Sequence, residues 1–117
     1  MANTIAASSI KRKGNQQFQG LFSDMWEVTA TISDQDAIAL TTITEFDLTV
    51  SGVALGDMVI GVSSTVDLND GSNEAIMNAY VSAANTLTVQ IMADEAEFAA
   101  DAMNTAVIKV LVGRPAW

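Results

Sequence analysis

"NAYVSAANTLTVQI" (residues 78–91) holds two apolar-alternating runs on either side of a short polar knot. In the second run Leu87, Val89 and Ile91 share one side of an extended chain and Thr88 and Gln90 the other. That is the period-2 signature of a half-buried strand. The knot "SAAN" (82–85) suits a type I turn with a bulge, Asn85 taking the left-handed conformation that asparagine tolerates. The stretch therefore reads as a β-hairpin, with Thr86 and Thr88 on its solvent face. A slip of one residue would turn Leu87, Val89 and Ile91 outward, so the register is strongly specified.

The same pattern spreads outward from the hairpin. "WEVTATI" (26–32) puts Trp26, Val28, Ala30 and Ile32 on one face, and "TEFDLTV" (44–50) does the same with Phe46, Leu48 and Val50. "IALTTI" (38–43), "MVIGVSS" (58–64) and "TAVIKVLV" (105–112) complete the strand set, and Gly61 inside its strand marks a bulge or a close backbone approach. "SDQDA" (33–37) reads as a turn or a single helical turn, "SGVALGD" (51–57) and "DLNDGSNE" (67–74) as loops, and "DEAEFAADAM" (94–103) as a short amphipathic helix. Short strands at this spacing predict an all-β domain, a small antiparallel β-sandwich or barrel-like fold over residues 26–117. Residues 1–25 show no sustained period of 2 or 3.6 and read as an extended N-terminal arm.

Two strands lack a polar face. Met58, Val59, Ile60 and Val62 leave neither side wet, and opposite Ile108, Val110 and Val112 stand Val107, Lys109 and Leu111. Apolar residues on both sides predict a second buried surface, such as a subunit contact through Val107 and Leu111, or cover from another part of the chain.

Composition narrows the chemistry. The 117 residues suffice for one domain with one core. Cysteine and histidine are both absent. Disulfides and thiol catalysis are thereby excluded, and so are the usual general base near neutral pH and the commonest metal ligand. The expectation is a non-enzyme with no cofactor. No stretch approaches the ~20 apolar residues of a membrane-spanning helix. No signal-length apolar run follows Lys11, Arg12 and Lys13. The expectation is a soluble protein made in a cytoplasm.

Charge is unevenly placed. The first 13 residues carry three basic side chains and no acid, whereas residues 14–117 carry two basic and fourteen acidic ones. So negative a body repels a phosphate backbone, which argues against nucleic acid. A basic arm suits an acidic neighbour, with Ile10, Phe18, Leu21 and Phe22 as apolar anchors beside Lys11, Arg12 and Lys13.

Three constellations invite a chemical reading. Asp67, Asn69, Asp70, Asn73 and Glu74 offer oxygen ligands, but the glycine falls at position 5 of the loop and no glutamate falls at position 12, unlike an EF-hand. A turn built on Asn69-Asp70-Gly71 accounts for the loop as well. Asp94, Glu95, Glu97 and Asp101 fit the wet side of a helix as readily as a carboxylate pair for glycoside cleavage. Trp26, Tyr80 and Trp117 are candidate sugar-stacking rings, far apart in sequence.

"VSGVALGDMVIGVSS" (50–64), "AYVSAANTLTVQI" (79–91) and "TAVIKVLVG" (105–113) together resemble small virion proteins of tailed bacteriophages. Gly56-Asp57 leads into a strand, Tyr80 to Val89 forms the hairpin, and Val107 to Val112 closes the sheet. The resemblance covers about half the chain. It implies a structural role without an active site, in which a homotrimer binds the major capsid protein on the capsid surface as a decoration or cement protein. The alternative it leaves open is a tail or head-fibre component with a carbohydrate-binding role.

Overall fold

A computed structural model of the chain describes residues 3–12, 20–32, 43–65, 75–93 and 106–117. These residues form eight strands: β1 (Asn3–Thr4), β2 (Ala7–Arg12), β3 (Phe22–Thr31), β4 (Ile43–Thr49), β5 (Met58–Ser64), β6 (Ala75–Ala83), β7 (Thr86–Ala93) and β8 (Val107–Pro115). They make two four-stranded sheets, in the orders β1-β4-β7-β6 and β2-β3-β8-β5. Every pairing is antiparallel except the two-residue match of β1 to β4. The all-β expectation of a small antiparallel β-sandwich or barrel-like domain holds, with two sheets rather than one closed barrel, and no helix occurs among the described residues. The helix expected at 94–103, the loops at 33–37 and 67–74 and most of the strand expected at 38–43 lie outside them.

The core is the sum of the inward alternations. Trp26, Val28 and Ala30 of β3 with Ile32 just beyond it meet Phe46 and Leu48 of β4 with Val50 just beyond it, and Leu87, Val89, Ile91, Ile108, Val110 and Val112 complete the layer. Each of these side chains is essentially sealed from solvent. Full burial of one large aliphatic side chain contributes ~1.5–3 kcal/mol, which is why the alternation fixes the register so firmly.

The hairpin has the expected geometry. Ala83 pairs with Thr86, the register shifts between Val81 and Ala83, and Asn85 has φ 62°. Its tip is also a docking point. The Asn85 N–H donates to Val53 O (2.8 Å), its carbonyl accepts from Val50 N–H (2.9 Å), and its Oδ1 accepts from Gly52 N–H (2.8 Å). The turn of one sheet is thereby tied to the link that crosses to the other. In β5 the shift between Val59 and Gly61 is the bulge that Gly61 announced.

The N-terminal boundary differs from the sequence reading. β3 runs from Phe22 through Trp26 without a break, and β2 lies antiparallel on it, Ile10 opposite Val28 and Arg12 opposite Trp26. Asn3–Thr4 joins the other sheet beside β4, so residues 3–12 pass from one sheet to the other. β2 is an edge strand in which only Ala7 is partly covered. Its membership rests on backbone hydrogen bonds rather than on side-chain burial, so its sequence need not alternate.

Thr88 also departs from its expected solvent position, being 2% exposed. Its hydroxyl donates to Asp47 Oδ1 (2.6 Å), and with that proton used it accepts from Ser82 Oγ (2.7 Å). A polar layer on the outside of the sheet covers it.

Candidate interaction surfaces

Three surfaces emerge, each placed by the strand registers. The first is the end of the sandwich where β2 finishes and β3 begins. Trp26 is fully buried there, its Nε1–H donating to Ser51 O (3.1 Å). Guanidinium groups approach its ring from two strands: Arg12 with its carbon 5.0 Å from the ring centroid, and Arg114 at 5.2 Å. Arg12 Nε donates to Asp24 Oδ2 (2.6 Å). Arg114 grips Asp57 with two bonds of 2.9 Å and donates a third to Gly52 O (2.8 Å). The Asp57 hydrogen bond is the main reason the Arg114 pKa is raised, with the charges of Asp57 and Asp24 adding to it and burial opposing. Gly52 is required here: its φ is +99°, and a Cβ would stand 2.8 Å from Arg12 Nη1.

The second surface is the outer face of the β2-β3-β8-β5 sheet. Met25, Gly113 and Met58 lie side by side across β3, β8 and β5, on the face opposite the core. Gly113 has no side chain because others occupy the space: a Cβ would fall 2.6 Å from Phe22 Cδ1 and 3.0 Å from Ile60 Cδ1. The Phe22 ring in turn meets Trp117, centroids 6.0 Å apart. Met25 is buried yet belongs to no part of the inner core. Around this small outer cluster Leu21, Met58, Ile60 and Trp117 stay substantially exposed. Apolar surface of this kind marks interaction sites.

Further along the same face is a groove of about 590 Å³, lined by Lys11, Glu27, Thr29, Ser63, Lys109 and Leu111 among others. It is polar, in contrast to the cluster around Phe22.

The third surface is the outer face of β4, β7 and β6. Ile43, Met92 and Ile76 form a row at one end, Ile43 and Ile76 being exposed. The next rows are polar. Gln90 Nε2 (2.9 Å) and Tyr80 OH (3.2 Å) both donate to Glu45 Oε2, and Thr88 donates to Asp47. Partial desolvation, the bond to Glu45 and the negative charges of Glu45 and Asp47 together raise the Tyr80 pKa.

The residues predicted from sequence to bind partners are dispersed among these surfaces. Ile10, Lys11 and Arg12 lie on β2, where Arg12 is engaged with Asp24 and Trp26 of its own chain. Leu21 is exposed and Phe22 is half-buried against Gly113. Val107 and Leu111 are half-buried on the outer face of β8. Lys13 and Phe18 lie outside the described residues. Of the three candidate sugar-stacking rings, Trp26 is corrected: its alternation with Val28 and Ala30 already put it in the core, where no ligand reaches it. Sequence reasoning missed Met25 and Gly113. The signal was present in "DMW" (24–26), where two large apolar residues in succession cannot share one face of a strand.

Among the described residues no group of three or more His, Cys, Asp or Glu side chains is placed to hold a metal ion. Compared with known proteins, the chain matches no family model, no curated protein and no solved structure.

Proposed function

We propose that the protein is a structural component of a tailed-bacteriophage virion, a decoration protein that binds the outer capsid surface. The observation that carries this reading is the apolar cluster on the outside of the β2-β3-β8-β5 sheet. Phe22 and Met25 are packed where a sheet of this size would ordinarily be wet, and the exposed Leu21, Met58, Ile60 and Trp117 extend that surface outward. A rigid sandwich with an apolar outer patch and an edge strand carrying Lys11 and Arg12 is suited to docking on a protein surface. The resemblance of its strand and turn sequences to small virion proteins supplies the partner, the major capsid protein, and the trimeric state.

The test is the fraction of purified chain retained on bare capsids. Wild type is retained; replacing Ile60 and Trp117 with Ser reduces retention at unchanged thermal stability. Equal retention of both would overturn the patch as the attachment surface. A second reading has its own support: Tyr80 is 40% exposed beside the Glu45–Gln90 pair, an aromatic ring next to hydrogen-bonding groups of the kind that hold a sugar. Glycan binding lost with Tyr80→Ala would favour a fibre component.

A further inference from the structure

The four sheet edges are not protected alike. β1 is two residues long, and residues 5–6 tie it to β2, which straps that side of the sandwich. β2 carries Lys11 and Arg12. β5 is interrupted by the bulge between Val59 and Gly61. Short length, charge and a bulge are the devices that stop an edge from pairing with another chain. From Ala75 to Val81, β6 has none of them. Its nine residues include no charged residue, no glycine and no proline, and its ladder with β7 stays regular from Ala75 to Val81. Among the described residues β7 is its one ladder partner; β5 comes near from the other sheet and forms no ladder with it. A row of β6 backbone N–H and C=O groups therefore points away from its own sheet.

The side chains of β6 are arranged symmetrically about Asn78. On the outer face Ile76 and Tyr80 flank it, 66% and 40% exposed, and Asn78 is itself exposed between them. On the inner face Met77 packs against the core and Ala79 is buried in it.

We propose that β6 pairs antiparallel with β6 of a second copy of the chain, about a two-fold axis through Asn78, joining two four-stranded sheets into one continuous sheet. In this register Ile76 of each copy stands opposite Tyr80 of the other, Met77 opposite Ala79, and Ala75 opposite Val81. A β-branched residue facing an aromatic ring is a favourable cross-strand pair, and here it covers the two most exposed apolar side chains of the strand. The two Asn78 amides meet on the axis, where each has both a donor and an acceptor for the other. Charge selects the occupant. A chain of net charge −9 repels its own copies, and an isologous contact sets each charge near the axis against itself. An uncharged strand with a symmetric pattern is where that repulsion is least. The inference concerns the isolated chain, rests on no attachment to a capsid, and is compatible with copies also meeting about a three-fold axis.

The test is sedimentation velocity of the purified full chain across micromolar concentrations, beside Asn78→Lys and Asn78→Asp. Asn78 is exposed, so both variants should melt as wild type does by circular dichroism. Wild type forms dimers. Each variant alone sets like charges together on the axis and dimerises about fivefold or more weakly. An equal mixture of the two recovers association, because opposite charges then meet. Cysteine placement reads the register, since the chain has no cysteine of its own. Directly opposed Cα atoms lie about 4.5–5.5 Å apart, within disulfide range. Under air oxidation Asn78→Cys links to its twin, Ile76→Cys and Tyr80→Cys alone do not, and a mixture of those two does. A monomeric wild type, charged variants that associate as wild type does, a mixture as weak as each variant alone, or no linkage at position 78 would each overturn the proposal. Dimers of this kind that are not retained on capsids would overturn the decoration reading and leave this contact standing.

Discussion

Removing Arg114 should cost far more stability than removing Arg12, although both guanidinium groups lie against the same indole. The difference follows from what each leaves behind. The Asp57 side chain is 3% exposed and takes two 2.9 Å bonds from Arg114, which keeps 34% of its own surface in water. After Arg114→Ala, Asp57 retains the Ala54 N–H (2.9 Å) as its described partner. Stripping one member from a buried pair costs ~3–5 kcal/mol, and the partial exposure of Arg114 puts this case near ~3 kcal/mol. Arg12 is 52% exposed at its side chain and its partner Asp24 is 13% exposed, so their pair contributes ~0.2–1 kcal/mol. Its approach to Trp26 adds ~0.5–1 kcal/mol. Arg12→Ala should therefore cost about 1 kcal/mol. Urea unfolding followed by circular dichroism reads both values. Asp57→Ala added to Arg114→Ala should cost little more, because the stranded carboxylate goes with it; a double-mutant cycle would show coupling of about 2 kcal/mol. Equal losses for Arg12→Ala and Arg114→Ala, or a negligible coupling, would refute the assignment of Arg114–Asp57 as the buried pair of the cap.

Other perturbations test other parts. Gly113→Ala places a methyl against the Phe22 ring and Ile60, so it should cost ~1–3 kcal/mol by overpacking, and Phe22→Ala in the same chain should recover part of that loss in a thermal melt. Asn85→Ala loses asparagine's tolerance of the left-handed φ of 62° and removes the acceptor for Gly52 N–H; a loss of ~1–2 kcal/mol is expected, with Asn85→Gly losing less because glycine adopts that φ freely. Tyr80 is the sole tyrosine, so phenolate absorbance titrates it alone. Its midpoint should lie above 10.0 and move down in Glu45→Gln. Because its folded pKa is raised, Tyr80 contributes stability that is fully present below pH 10 and lost as pH rises through the folded value; a midpoint at or below 10.0 would contradict the hydrogen bond to Glu45. Deleting residues 1–12 should lower the urea midpoint, since β2 and Arg12 cover one edge of β3 and the Trp26 ring; an unchanged midpoint would restore the reading of the segment as an extended arm.

The alternating strands were legible because burial on one face imposes a period of 2 on the side chains. Trp26 to Ile32, Phe46 to Val50 and Leu87 to Ile91 all point inward as their spacing requires. Asn85 was legible for a different reason, since few side chains tolerate a left-handed turn position. β2 was illegible because an edge strand is held by its backbone, and backbone hydrogen bonds leave no pattern in the side chains. The two-sided apolar strands raised the expectation of a second buried surface through Val107 and Leu111, whereas the outer cluster of Phe22 and Met25, with the exposed Ile60 beside it, centres on Gly113. Its position could not be read from sequence, because it depends on a glycine of β8 facing a phenylalanine ninety-one positions earlier. The pairing of Arg114 with Asp57 is equally nonlocal: the three strands β5, β6 and β7 separate them in sequence, and only the sheet order brings them together.

The central claim is that this sandwich sits on the outside of a phage head. The most direct measurement is a cryo-electron microscopy reconstruction of capsids before and after addition of the purified chain. The account predicts added density on the outer capsid surface, at points where capsomers meet, into which the two-sheet domain fits with the Phe22–Ile60 face toward the shell. Capsids that remain bare, with the chain located on the tail or a fibre, would contradict it.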